Sequence, residues 1–191
     1  MSDYNVISNL PYGFDFRNQN RKEIAAYKTW FVENESIRLA ELKNRVRQSN
    51  YSNINLDFSP NSLIGLGDFM AETIKKETLS KSQFEELRNR ISEYINIDSW
   101  DLTLESRSLL IDIGVYWGNV LIKNHPHLAW SQYISRNKKD VNFGHMVIQI
   151  NKDSYVNPIW LMYIQGLKVA KGTFERTSLY NLYIWWSERI R

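Results

Sequence analysis

Apolar residues recur every three or four positions through residues 20–48, which is the spacing of a helix with one buried face. The members of that face are Ile24, Tyr27, Phe31, Leu39, Leu42 and Val46. The polar run at residues 33–35 interrupts the spacing, and Ser36 after it is a suitable N-cap. The segment therefore predicts either one bent helix or two consecutive helices.

Two shorter helices are predicted after residue 58. Ser59-Pro60 combines a cap with a proline at the first helical position, and Ser80 with Gln83 forms a capping box. The predicted buried stripes are Leu63, Leu66, Met70 and Ile74 in the first helix, and Phe84, Leu87, Ile91 and Tyr94 in the second. Gly65 and Gly67 each weaken the first helix by about 1 kcal/mol relative to Ala, which indicates close packing against another element.

A fourth helix is predicted from a cap at Thr103 to about Lys123. Its apolar residues occupy nearly every side: Leu109, Leu110, Ile111, Ile113, Val115, Tyr116, Trp117, Val120, Leu121 and Ile122. A helix of this kind is covered on several faces and lies at the centre of a fold. Gly114 and Gly118, four positions apart, would let neighbouring elements approach closely.

Short alternating runs replace the helical spacing after residue 127. Residues 128–135 and 141–150 predict two antiparallel strands joined by a turn at 137–140, a hairpin near 128–150. The alternation reverses at Gly144-His145, as in a β-bulge. Further along, the pattern predicts a loop at 151–157, either helix or strand at 159–169, and a final helix from about Thr177.

These elements predict a single α+β domain, mainly helical, over residues 1–191, since the length fits one core. Its parts are an irregular lead-in at 1–18 with a turn at 11–13, a helical part at 20–124 with the central buried helix, and a part at 128–191 with a small antiparallel sheet and the C-terminal helix.

The composition excludes several classes of protein. The chain has no Cys, which rules out disulfide frameworks, thiolate nucleophiles and Cys-ligated metal sites. The first residues lack a basic region followed by an apolar one, and the longest apolar stretch, 108–122, is shorter than the ~20 residues of a membrane span. We therefore expect a cytoplasmic protein with no membrane partner.

Charge is distributed unevenly although the net charge is only +3. Residues 1–48 contain eight basic and six acidic side chains, residues 49–129 seven and eleven, and residues 130–191 nine and four. The acidic middle suits a basic partner and the basic C-terminal part an acidic one, but pairing within the molecule explains the same pattern. The small net charge and the missing RNA-binding aromatic motif make nucleic acid an unlikely partner.

No catalytic or cofactor motif occurs, whether a nucleophile elbow, a phosphate-binding loop or a dinucleotide-binding loop, so we expect no catalytic set and no cofactor. Asp112 is the candidate functional acid, because an ionised carboxylate in an apolar helix needs a partner or a shifted pKa. In the alternative, structural role it faces solvent or an arginine such as Arg107. His125 and His127 offer two metal ligands, fewer than a site requires, and the ending of the central helix explains them equally well.

Four aromatic residues lie on or near the predicted hairpin: Trp130, Tyr133, Phe143 and Trp160. They either cover one face of the sheet as part of the core or form a surface for a partner, where Tyr and Trp concentrate binding energy. Under the second interpretation Trp130, Tyr133 and Phe143 are the candidate partner-binding residues.

Several segments resemble an uncharacterised family of bacterial cytosolic proteins. They are residues 27–34 (YKTWFVEN), 38–42 (RLAEL), 109–118 (LLIDIGVYWG), 124–126 (NHP), Trp130 and 181–186 (NLYIWW). Proteins of this kind are similar to the immunity-like modules of polymorphic toxin loci. The resemblance spans about residues 20–190, its motifs are packing motifs, and it implies a protein that binds another protein.

Three functions follow as hypotheses. The first is a protein-binding module, specifically an immunity-type protein that masks a cognate bacterial toxin, whose acidic middle would suit a basic nuclease. It would form a 1:1 complex with the product of a neighbouring gene. The alternatives are a small hydrolase or transferase that uses Asp112, and a homo-oligomeric structural protein that associates through its aromatic face.

Overall fold

The computed structural model describes residues 4–8, 10, 16–90 and 96–190. These residues form six helices and two small antiparallel sheets, so the fold is α+β and mainly helical, as predicted. In chain order the elements are α1 (Arg21–Arg47), α2 (Ser62–Thr73), β1 (Lys76–Thr78), α3 (Lys81–Arg90), β2 (Trp100–Leu102), α4 (Leu104–Asn124), β3 (Trp130–Gln132), β4 (Met146–Asn151), β5 (Ser154–Val156), α5 (Pro158–Lys171) and α6 (Ser178–Ser187).

α1 is one continuous helix and not two consecutive helices, the two alternatives that the sequence predicts. A capping box begins it, because the Asn20 side chain accepts a bond of 3.0 Å from the Glu23 amide and the Glu23 carboxylate accepts one of 2.8 Å from the Asn20 amide. Ser36 lies inside the helix and caps nothing. The buried face of α1 contains the charged residue Arg38 among its apolar residues.

α4 is the buried centre of the molecule, as predicted. Thr103 caps it by accepting a hydrogen bond of 3.2 Å from the Ser106 amide, and every residue from 108 to 121 is buried. α1, α5 and α6 all pack against it. Because these helices cover it on several sides, it needs no polar face in that stretch.

The two glycines of α4 allow the close approaches that their spacing predicts. A Cβ atom at Gly114 would lie 2.7 Å from Cα of Ile159, at the start of α5. One at Gly118 would lie 2.3 Å from the ring of Trp130. The first glycine thus admits a helix backbone and the second admits an indole.

The larger sheet has the strand order β3-β4-β5 and is antiparallel throughout. The predicted hairpin is shorter than expected, because β3 is limited to Trp130–Gln132 and β4 begins only at Met146. The Tyr133 amide donates to the His145 carbonyl at 2.9 Å and the Tyr133 carbonyl accepts from the Gly144 amide at 2.8 Å, the two-against-one pairing of the predicted bulge. The predicted loop at 151–157 contains β5, so that prediction was wrong.

The smaller sheet pairs β1 with β2 across the segment that contains α3. Each strand has three residues, which is too short for an alternating pattern to be visible in the sequence. The capping box of Ser80 and Gln83 is present. Phe84 and Leu87 are only half-buried, whereas Ile91 and Tyr94 of the predicted stripe lie outside the described residues.

Residues 158–171 form α5, so the segment that fitted either helix or strand is helical. Asn157 caps it, Pro158 occupies its first position, and Gly172 ends it with φ 71°. α6 begins at Ser178, beside the predicted start at Thr177.

The described part of the lead-in is irregular but packs on the core. Tyr4, Ile7 and Phe16 are buried there, a burial that the polar composition of residues 1–18 does not suggest. The predicted turn at 11–13 lies outside the described residues.

Candidate functional site

Asp112, the candidate functional acid, is fully buried in a network of hydrogen bonds. Arg38 donates to it twice, from Nε to Oδ1 and from Nη2 to Oδ2, each at 2.7 Å, and the Tyr4 hydroxyl donates to Oδ2 at 2.5 Å. The expected partner Arg107 instead pairs with Asp101 at 3.2 Å. The carboxylate therefore has its partners inside the protein, and no face of it is open to a substrate.

Burial raises the pKa of Asp112 to about 6, against the opposing effects of the Arg38 guanidinium and of the Tyr4 hydrogen bond. The carboxylate is therefore ionised at neutral pH. Burial and the neighbouring carboxylate also raise the pKa of the Tyr4 hydroxyl, so Tyr4 remains a hydrogen-bond donor. The three side chains form a charged structural cluster.

The same cluster fastens the lead-in to the helices. Arg38 Nη1 donates to the Asn5 carbonyl at 2.7 Å, and Arg38 Nη2 donates to the Tyr4 hydroxyl at 2.8 Å. Next along the lead-in, the Ile7 amide donates to Ser108 Oγ of α4 at 3.0 Å. Residues 4–7 thereby lie in a fixed position against α1 and α4.

Ion pairs within the chain neutralise much of the acidic middle segment. Cations from the N-terminal and C-terminal parts reach its carboxylates in the pairs Arg38–Asp112, Arg45–Glu105, Lys171–Asp98, Arg176–Asp68 and Arg176–Glu72. The uneven distribution of charge along the sequence is thus partly compensated in three dimensions. The acidic segment offers correspondingly less charge to a basic partner.

The two histidines after α4 lie near each other but are not arranged around a common point. The rings of His125 and His127 are 6.5 Å apart and nearly perpendicular, and His125 Nε2 lies 3.3 Å from Ser187 Oγ. Burial, followed by the nearby His127, lowers the pKa of His125. In the described ranges, no group of three or more His, Asp or Glu side chains is placed to hold a metal ion.

Of the four aromatic residues near the hairpin, Trp130 and Phe143 belong to one hydrophobic core cluster, and Tyr133 and Trp160 lie outside it. The Trp130 ring lies edge-on to Phe31 with centroids 4.9 Å apart, and Phe143 is 5% exposed. Tyr133 is half-buried, with its hydroxyl donating to Asp140 at 3.2 Å. Trp160, in α5, is 39% exposed and its ring stacks on that of Tyr163 with centroids 5.4 Å apart. Partner binding by Trp130, Tyr133 and Phe143 stays a prediction, and of these three Phe143 lines an open cleft.

That cleft lies between the start of α1 and the chain that follows β3, and we call it the α1–β3 groove. Its volume is about 550 Å³. Apolar side chains and three cations line it, namely Ile24, Ile134, Phe143, Arg21, Arg136 and Lys138. Gln132 joins the two walls, since its Nε2 donates to the Ile24 carbonyl at 2.7 Å and to the Gly144 carbonyl at 3.0 Å.

The electrostatics of the α1–β3 groove are one-sided. No carboxylate lines it, and neither Arg21 nor Arg136 forms an ion pair within the described part of the chain. Lys138 donates to the Gln19 carbonyl at 3.1 Å and lies 5.8 Å from the centre of the Phe143 ring. Three uncompensated cations beside apolar side chains favour an anionic ligand that also has apolar groups.

Sequence reasoning did not find this groove. Lys138 is visible only as part of a short basic pair, and Arg21 is more than a hundred positions away from it. The excess of basic residues after position 129 was the single available signal. Only the packing of α1 beside β3 brings these cations together.

Within the described residues, no helix has both the length and the apolarity that crossing a bilayer requires. The resemblance to immunity-like proteins stays a prediction, and the contacts and charges of the described residues are what bear on function. Compared with protein-family models, with curated proteins and with solved structures, the chain matches none.

Proposed function

We propose that this protein is a binding module without chemistry of its own, which holds an acidic segment of a partner protein in the α1–β3 groove. The observation that supports this best is the meeting of Arg21, Arg136 and Lys138 around an apolar wall to which none of the described residues contributes a carboxylate. Complementary charge guides a partner to its site and selects against others. The buried state of Asp112 removes the main support for a hydrolase or transferase.

The shape and composition of the groove favour a protein segment over nucleic acid. Ile24, Ile134 and Phe143 offer apolar contact, and Ile134 is 61% exposed. A nucleic-acid site relies on many phosphate contacts, roughly six to ten for a tight complex, whereas the described lining of this groove contains three cations. Acidic side chains alternating with apolar ones would satisfy both parts of the lining.

An immunity-type role is the specific form of this proposal, and the sequence resemblance is its support. The acidic middle segment suggested a basic toxin, but its ion pairs within the chain make it the weaker docking surface. A toxin whose active surface is acidic fits the α1–β3 groove better, since carboxylates that bind a metal ion form such a surface. The protein would then neutralise the toxin by covering that surface.

Peptide display tests the site even while the partner is unidentified. Random peptides on phage would be selected on the wild-type protein and counter-selected on the double variant Arg21→Glu/Arg136→Glu. The expected result is a consensus of acidic and apolar residues that binds the wild type at least about ten-fold more tightly than the variant. A matched control is Lys28→Glu/Lys152→Glu, which makes the same change of net charge at exposed positions outside the groove.

Three results would contradict the proposal. One is a selection that yields no acidic consensus, and another is a consensus that binds the control and the groove variant equally. The third is a single-stranded oligonucleotide that binds the groove more tightly than the selected peptides. For the immunity-type form, co-expression with the neighbouring gene's product should give a 1:1 complex that Arg21→Glu/Arg136→Glu disrupts.

A further inference from the structure

A second groove lies between α5 and α6, and we call it the α5–α6 groove. Its volume is about 470 Å³, and its apolar walls are formed by Leu161, Leu182, Trp185 and Trp186. Trp185 is 46% exposed. The two grooves share no lining residue, so this site is independent of the one proposed above.

A buried hydrogen-bond acceptor without a donor lines this groove. Gln165 is only 3% exposed, yet its side-chain oxygen has no hydrogen-bond partner among the described residues. Buried amide oxygens almost always accept a hydrogen bond, so an unpaired one beside a groove indicates a donor supplied from outside. A suitable donor is an N–H or O–H on a side chain that can enter an apolar space.

Trp185 has the complementary property. In the part of the chain that the structure describes, its indole N–H donates to nothing, although the ring is held in place by Arg189 at 3.5 Å from its centre and by Trp186 edge-on at 4.8 Å. An exposed, pre-positioned indole is the kind of side chain on which protein interfaces depend most. The same region therefore contains an unused donor, the Trp185 indole N–H, and an unused acceptor, the Gln165 side-chain oxygen.

The charges at the groove are also self-complementary. Lys168 and Glu175 both line it, and neither pairs with an oppositely charged group within the described ranges. In a two-fold symmetric pair, any contact from one residue to another occurs twice with the copies exchanged. One cation and one anion on the same patch can therefore pair twice across a two-fold axis that passes between them.

We propose that the α5–α6 groove binds a second copy of this chain in a two-fold symmetric dimer. Trp185 of each copy enters the groove of the other and donates its indole N–H to Gln165 Oε1. Lys168 of each copy lies beside Glu175 of the other. Because the dimer contact covers the α5–α6 groove of each copy, the α1–β3 groove of both copies stays open for a partner.

Sedimentation equilibrium over a wide range of protein concentration tests the dimer. The wild type should dimerise reversibly, and Trp185→Ala or Lys168→Glu should each raise the dissociation constant at least about ten-fold. Lys168→Glu combined with Glu175→Lys should return it towards the wild-type value, because the opposite charges face each other again. Lys139→Glu, an exposed cation outside the α5–α6 groove, is the matched control and should change nothing.

Gln165→Met separates the proposed contact from a purely structural role. The substitution removes the unpaired oxygen at similar volume, so the monomer should melt at the same or a higher temperature while the dimer weakens. A wild type that stays monomeric at every concentration would overturn the proposal. So would a dimer that is indifferent to Lys168→Glu, or one in which the charge exchange restores nothing.

Discussion

Arg38 and Asp112 face each other with two parallel hydrogen bonds, each 2.7 Å long, between the middle of α1 and the middle of α4. Both side chains are removed from solvent, with 6% and 0% of their surface exposed. Such a pair is favourable only while it is complete, because each charge alone would be expensive in an apolar interior. The pair therefore fixes how α1 lies on the central helix.

Arg38→Met should destabilise the protein by about 3–5 kcal/mol, because it leaves the Asp112 carboxylate buried without its cation. Urea unfolding followed by circular dichroism would measure the loss of unfolding free energy. Arg45→Met is the matched control, since the Arg45–Glu105 pair is also between α1 and α4 but Glu105 is 43% exposed. The Arg45→Met variant should lose less than about 1 kcal/mol of unfolding free energy.

The double substitution Arg38→Met/Asp112→Leu distinguishes a broken pair from a loss of packing. Replacing both charges by apolar groups removes the unpaired carboxylate, so the double variant should recover most of the stability that Arg38→Met loses. Equal instability of the single and double variants would mean that the shape of the arginine matters and its charge does not.

The raised pKa of Asp112 predicts a specific pH dependence of stability. The pKa is about 6 in the folded protein and 3.8 without the fold, so between these values the folded state binds more protons than the unfolded state. The free energy of unfolding that Asp112 contributes is then greatest below about pH 4. It falls by roughly 3 kcal/mol as the pH rises through about 6. The difference in unfolding free energy between wild type and Asp112→Asn, followed against pH, measures this contribution.

Asp98→Asn is the control for the loss of one carboxylate, because Asp98 is half exposed and paired at the surface with Lys171. At neutral pH this variant should lose less than about 1 kcal/mol of unfolding free energy. A wild-type minus Asp112→Asn difference that instead rises with pH would show that the attraction of Arg38 outweighs burial at this site.

The helical part of the fold is predictable from the sequence because its signals are local. The caps at Ser80 and Thr103 each lie within one turn of chain, and the apolar surface of α4 lies within one helix. The strands β1, β2 and β5 have three residues each, which is too few to display an alternating pattern. β1 and β2 also depend on each other across more than twenty residues for their hydrogen bonds.

The candidate sites were less predictable for the same reason. The partner of Asp112 comes from a residue 74 positions earlier, and sequence proximity suggested Arg107 instead. The α1–β3 groove combines Arg21 with Arg136, which share no local motif. Residue types indicated that Asp112 needed a partner and that cations were in excess, but only tertiary packing determines which groups meet.

The junction of α2 with the chain before α6 gives a matched pair of glycine substitutions. A Cβ atom at Gly67 would lie 2.0 Å from the Arg176 carbonyl oxygen, whereas at Gly65 the nearest atom, at 2.9 Å, is Cγ1 of the Ile54 side chain. Ala favours a helix over Gly by about 1 kcal/mol at either position. Backbone at Gly67 cannot move aside cheaply, so Gly67→Ala should destabilise by about 2 kcal/mol or more, while Gly65→Ala should destabilise by less, because only the partly buried Ile54 side chain has to shift. Thermal melts of both variants test this prediction. Equal changes in melting temperature would mean that α2 shifts freely against the chain around Arg176.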